Sequence, residues 1–102
     1  MDQFLMTIED AVFYLKSLCT SMGAYPTNYS GYYCGVTNDL ERRAGEHNAE
    51  FLGYVTAKTA KGATDLEARM HQEGFNTGKQ LGNASDDSVY VYVYKIGPGT
   101  KQ

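Results

Sequence analysis

The chain has 102 residues, enough for one small domain with one hydrophobic core, so residues 1–102 are read as a single domain. Nine Lys and Arg against twelve Asp and Glu give a formal net charge of −3, unusual for a protein that handles nucleic acid, and any phosphate affinity should be modest and salt-sensitive. Two cysteines without metal spacing point to reduced thiols in a cytoplasm, no apolar run is long enough to span a membrane, and the start lacks the basic-then-apolar layout of an export signal.

Residues 1–6 read as a short lead-in. Thr7 is a good N-cap, with Asp10 as a variant capping box. Ile8, Val12, Leu15, Cys19 and Met22 recur at helical spacing and form one apolar stripe, which Gly23 ends. A stripe of this kind packs on a core; a docking surface for a protein partner is the alternative. Residues 24–30, Ala-Tyr-Pro-Thr-Asn-Tyr-Ser, are rich in turn formers.

A strand, a tight turn and a helix follow over 31–48. Alternation puts Tyr32, Cys34 and Val36 on one face of the strand and Tyr33, Gly35 and Thr37 on the other. Gly35 beside Tyr33 leaves bare backbone that a ligand can approach. Thr37, Asn38 and Asp39 are all good N-caps for the next helix. Arg43 and His47, four residues apart, share a face of it. A phenol, a guanidinium and an imidazole can therefore converge above the turn, a set suited to a phosphodiester.

Residues 51–59 read as a second strand, with Lys58 and Lys61 at its exit. Thr64 opens a helix with Glu67 three residues later, a full capping box; Leu66 and Met70 form its buried side and Gly74 its stop. Residues 77–87 read as a polar surface loop. Ser88 to Ile96 is the clearest strand, with Val89, Val91 and Val93 on one face and Tyr90, Tyr92 and Tyr94 on the other. The valines should face a helix. The tyrosines are a half-covered second face, a stacking platform for bases or a homodimer interface. Gly97-Pro98-Gly99 ends the fold, with a frayed tail.

Tyr33-Cys34-Gly35, followed by Thr37-Asn38-Asp39-Leu40-Glu41-Arg42-Arg43 and Glu46-His47-Asn48, resembles the second half of the GIY-YIG nuclease signature. In that family a strand ending in Tyr-Ile-Gly precedes a Thr-Asn-x-Leu-x-x-Arg-x-x-x-His helix, and Leu40, Arg43 and His47 stand at matching spacings. Gly23-Ala24-Tyr25 resembles a degenerate form of the family's first strand, Gly-Ile-Tyr; Tyr25, Tyr29 and Tyr32 compete for the role of its tyrosine. Val36 stands where many members have lysine or serine after the motif glycine.

The resemblance implies an α+β fold: a small three-stranded antiparallel sheet with flanking helices, plus an N-terminal helix and a C-terminal strand, residues 88–96, joining as an extra or edge strand. It implies a metal-dependent endonuclease acting on nucleic acid, DNA foremost. Glu67 would bind Mg²⁺ or Mn²⁺, although it reads equally as a capping-box glutamate. Arg43 would stabilise charge on the phosphate. Tyr33, or the substitute first tyrosine among which Tyr25 is a candidate, would orient the attacking water, with His47 assisting proton transfer. Asn76, in a Phe75-Asn76 step like the family's Tyr-Asn step, joins Arg42 and Lys58 as candidate substrate contacts. The alternative is a weak or inactive relative that binds a protein or nucleic acid. Cys-x-x-Cys and paired-His metal spacings and a phosphate loop are absent from the sequence.

Overall fold

Helix α1 (Ile8–Ser21) begins where the sequence predicts it: the Thr7 hydroxyl accepts a hydrogen bond from the Asp10 N–H at 3.1 Å. The computed structural model describes residues 7–24, 28–77 and 89–101; Tyr25 and nearly all of the predicted 77–87 loop lie outside the described residues. The buried stripe of α1 is Ala11, Val12, Leu15 and Cys19. It is shorter than the predicted one, because Ile8 and Met22 at the two ends are exposed.

Strand β1 (Tyr32–Thr37) leads into helix α2 (Leu40–His47). Asp39 is the N-cap, its carboxylate accepting from the Arg42 N–H at 3.0 Å, while the Thr37 hydroxyl accepts from the Asp39 N–H at 3.0 Å. The helix ends at Asn48, which takes the left-handed conformation that asparagine tolerates better than most residues. Strand β2 (Gly53–Thr56) follows.

Helix α3 (Ala60–Gln72) starts earlier than predicted. Its N-cap is Thr59, whose hydroxyl accepts from the Gly62 N–H at 3.0 Å. Gly62 is tolerated here because it sits in the first turn, where the cap holds its N–H. Thr64 and Glu67 therefore lie inside the helix, and the predicted capping box does not form. The two-residue strand β3 (Asn76–Thr77) and strand β4 (Tyr90–Lys95) complete the fold.

Among the described residues the sheet has four strands in the order β2-β4-β1-β3. β4 runs antiparallel to both neighbours, and β3 runs parallel to β1. Two expectations are corrected: the sheet is mixed and four-stranded, and residues 88–96 contribute an interior strand, not an edge. The physical reason is that β4 is apolar or aromatic on both faces, and a strand covered on both faces belongs inside a sheet.

The faces alternate as the sequence predicts. Tyr32, Cys34, Val91, Val93 and Val55 pack with α1 and α3 in the main core. Tyr33, Tyr92 and Tyr94 form a second cluster on the opposite face, covered by Leu40 of α2 with Ala49, Phe51 and Ile96. Lys16 pairs with Glu73 at 2.5 Å and Arg69 with Glu9 at 2.7 Å, which ties α1 to α3. Residues 97–101 do not fray. The Lys101 N–H donates to the His47 carbonyl at 2.6 Å, and the Asn48 side chain donates to the Gly99 carbonyl at 3.0 Å. No helix among the described residues is long and apolar enough to cross a membrane.

Candidate active site

The site grows from β1. Alternation sends Tyr33 to the face covered by α2, and the Asp39 cap sets the start of α2, so Arg43 falls one turn in and His47 at its last residue. The Arg43 guanidinium lies close enough to the phenols of Tyr33 and Tyr92 to lower both pKa values against the larger effect of burial, and its Nη1 meets Glu46 Oε1 at 2.7 Å. Glu67 approaches from α3. Its carboxylate lies close enough to Tyr33 and Cys34 to push both groups' pKa values up, in addition to the larger effect of burial. Tyr33 thus feels a cation from one helix and a carboxylate from another. Glu67 is only 7% exposed, unusual for a glutamate.

His47 is the most constrained of the predicted set, at 1% exposure. Its Nε2 lies 2.7 Å from the Tyr92 hydroxyl, and its Nδ1 bonds the Lys101 carbonyl, with the Tyr94 hydroxyl 3.1 Å away. Burial lowers its pKa, with the nearby Arg43 charge adding to the effect. The imidazole is therefore held neutral near neutral pH. Burial raises the phenols: Tyr94 to about 12, and Tyr33 and Tyr92 in the same direction. These phenols are hydrogen-bonding groups, not resting phenolates.

Tyr92 and Tyr94 are what the sequence reading missed. The tyrosine beside Tyr33 comes from β4, near the end of the chain, and not from residues 25–32. Tyr29 stacks on Phe75 at 4.7 Å in the main core, and Tyr32 packs in the same core; Tyr25 lies outside the described residues. The signal was present in two pieces. Tyr90, Tyr92 and Tyr94 alternate with valines, and Gly35 is bare. In the structure the register sets Tyr92 opposite Gly35, so the Tyr92 ring fills the patch expected to admit a ligand. Tyr92 and Tyr94 offer no open stacking face, because they are buried beneath α2 and Phe51, while Tyr90 is half-buried against the exposed Tyr54.

Of the other predicted contacts, Asn76 is the register partner of Tyr33 across β1 and β3, while Arg42 and Lys58 lie on the surface. The Asn76 amide donates to the Ser30 carbonyl at 2.6 Å and so joins β3 to the turn before β1. Arg42 is exposed and reaches Asn38 Oδ1 at 3.2 Å and Glu46 at 3.8 Å. Lys58 is exposed between β2 and α3. Cys19 and Cys34 are fully buried, and burial pushes the Cys19 thiol up to about 12, so both are core residues, not nucleophiles.

Compared with known proteins, the chain matches no family model, no curated protein and no solved structure.

Proposed function

We propose that the chain is a GIY-YIG-type endonuclease that hydrolyses phosphodiester bonds in nucleic acid, DNA foremost, in the cytoplasm and with Mg²⁺ or Mn²⁺. The observation that carries this reading is that Tyr33 of β1 packs against His47 of α2 at 4.8 Å, with His47 Nε2 2.7 Å from the Tyr92 hydroxyl and the Arg43 and Glu67 charges near enough to perturb the Tyr33 phenol. Two helices far apart in sequence thus bring a guanidinium and a carboxylate to the strand that resembles the family's Tyr-Ile-Gly motif. On this reading β4, antiparallel to β1 and carrying Tyr92, would stand in for the family's first strand although it follows β1 in the chain.

The donor chemistry fits the ion. Mg²⁺ and Mn²⁺ prefer oxygen ligands, and Mg²⁺ is commonly held by one or two carboxylates, with water and substrate phosphate completing its shell. Glu67 would hold it. Bound there, the ion supplies Lewis-acid charge to the phosphate and the leaving oxygen. Arg43, a third exposed at its side chain, would neutralise charge building on the non-bridging oxygens. Tyr33 and Tyr92 would orient the attacking water. The water's proton would pass to the Tyr92 oxygen as Tyr92's own proton passes to His47 Nε2, 2.7 Å away. The test is metal-dependent nicking of plasmid or branched DNA at many turnovers per protein.

A second reading is favoured by burial. Tyr33 is 2% exposed and Tyr92 fully buried, as expected of a closed relative that binds a protein or nucleic-acid partner without cutting. It predicts stoichiometric binding and no turnover.

A further inference from the structure

Residues 97–101 form a tight turn: the Thr100 N–H and hydroxyl donate to the Gly97 carbonyl at 3.1 and 2.9 Å, and the Gly97 N–H donates to the Thr100 hydroxyl at 3.1 Å. The turn is pinned to the end of α2 by the Lys101–His47 backbone bond and by the Asn48 amide on the Gly99 carbonyl. Its last carbonyl, that of Lys101, meets His47 Nδ1 and also accepts from the Tyr94 hydroxyl at 3.3 Å. A carbonyl can only accept, so a bond to it requires a proton on Nδ1. In a neutral imidazole that leaves Nε2 bare, and the group facing Nε2 is the Tyr92 hydroxyl.

We propose that the turn of residues 97–101 is a positioning element that fixes His47 as its Nδ1–H tautomer through the Lys101 carbonyl, so that Nε2 accepts the Tyr92 proton and the phenol is held in one orientation. The catalytic meaning of this rests on the endonuclease reading, in which Tyr92 orients the attacking water. The tautomer itself does not. A second backbone element, remote in sequence from the Arg43 helix turn, thereby sets the direction of the Tyr92–His47 hydrogen bond. Without it, the imidazole could carry its proton on Nε2 and donate to Tyr92, and the phenol would lose its proton acceptor.

Long-range ¹H–¹⁵N correlation spectra of the full chain at neutral pH test this directly. The expected result is a protonated Nδ1 and a bare Nε2 for His47. An Nε2–H imidazole would overturn the proposal whether or not the protein cuts nucleic acid. Asn48→Gly removes the side-chain anchor on Gly99 yet keeps a residue suited to the left-handed conformation, so it should fold. It should shift the two ring nitrogens toward averaged values. A folded Asn48→Gly chain and a folded chain ending at Gly97 that both keep the wild-type nitrogen shifts would also overturn the proposal. If activity is absent throughout but the Nδ1–H form is found, the endonuclease reading fails and the positioning role stands.

Discussion

The phenol of Tyr92 lies against the backbone of Gly35, directly across the β1–β4 pair. A Cβ at position 35 would come within 2.5 Å of Tyr92 Cζ, closer still to its hydroxyl oxygen, and within 3.0 Å of Tyr33 Cε1. Both rings are buried and stacked among Phe51, Tyr94 and His47, so neither can swing aside freely. Gly35→Ala should therefore destabilise the fold by about 1–3 kcal/mol, the range for overpacking a filled core. Urea unfolding measures it through a lower midpoint at unchanged slope; a midpoint equal to wild type would refute the packing.

His47 makes stability depend on pH. Its folded pKa lies below the ordinary imidazole value, chiefly through burial. The unfolded chain, titrating near ~6.5, therefore binds a proton that the folded chain refuses. This contribution is fully present above ~6.5 and is lost as pH falls through that value toward the lower folded pKa. Glu46 and Glu73, both lowered chiefly by hydrogen bonds to cations, add their own loss only below the ordinary carboxylate range. Denaturant unfolding at pH 7.5 and 5.5 should show weaker folding at the lower pH. The difference should shrink in His47→Gln.

Glu67 and Glu73 are both carboxylates of the α3 region, but Glu67 is buried while Glu73 is held by two cations. Glu73 pairs with Lys16 at 2.5 Å and Arg69 at 3.4 Å. Glu73→Gln should lower stability by about 0.2–1 kcal/mol, as for partly exposed ion pairs, and leave nicking intact. Arg43→Lys should fail differently. A lysine keeps the charge but lacks the planar fork that can hold Glu46 and a phosphate oxygen at once, so nicking should fall by about 10²–10³-fold, comparable to losing one donor to a developing oxyanion. Single-turnover cleavage rates separate these outcomes.

Cys19 and Cys34 are fully buried, and burial raises both thiols. A thiol reagent such as dithionitrobenzoate should not label the native protein, and should label two thiols per chain in denaturant. Fast native labelling would mean that the main core opens far more readily than its packing implies.

Much of the fold is legible in the sequence because it depends on local rules. The Thr7 and Asp39 caps, the alternation of β1 and the valine face of β4 all follow from spacing. The start of α3 is misread because Thr64 and Glu67 stand at capping-box spacing, although the Thr59 hydroxyl already caps the helix on the Gly62 N–H. The place of β4 depends on its pairing with β1 and β2, such as Tyr32 with Lys95 and Gly53 with Val93, residues far apart in the chain that no local pattern joins. Its apolar character on both faces was the available clue to an interior strand. Arg43 and His47 were found from helical spacing, whereas Tyr92, Tyr94 and the Lys101 carbonyl reach the site through long-range packing alone.

The most direct measurement is plasmid nicking with Mg²⁺ or Mn²⁺ by the wild-type chain and by Glu67→Gln and Arg43→Ala, each checked for folding by circular dichroism. The proposed site predicts multiple-turnover nicking by the wild type, abolished by chelator and lost in both folded variants. A wild-type chain that never cuts, or cutting that survives both substitutions, would contradict it.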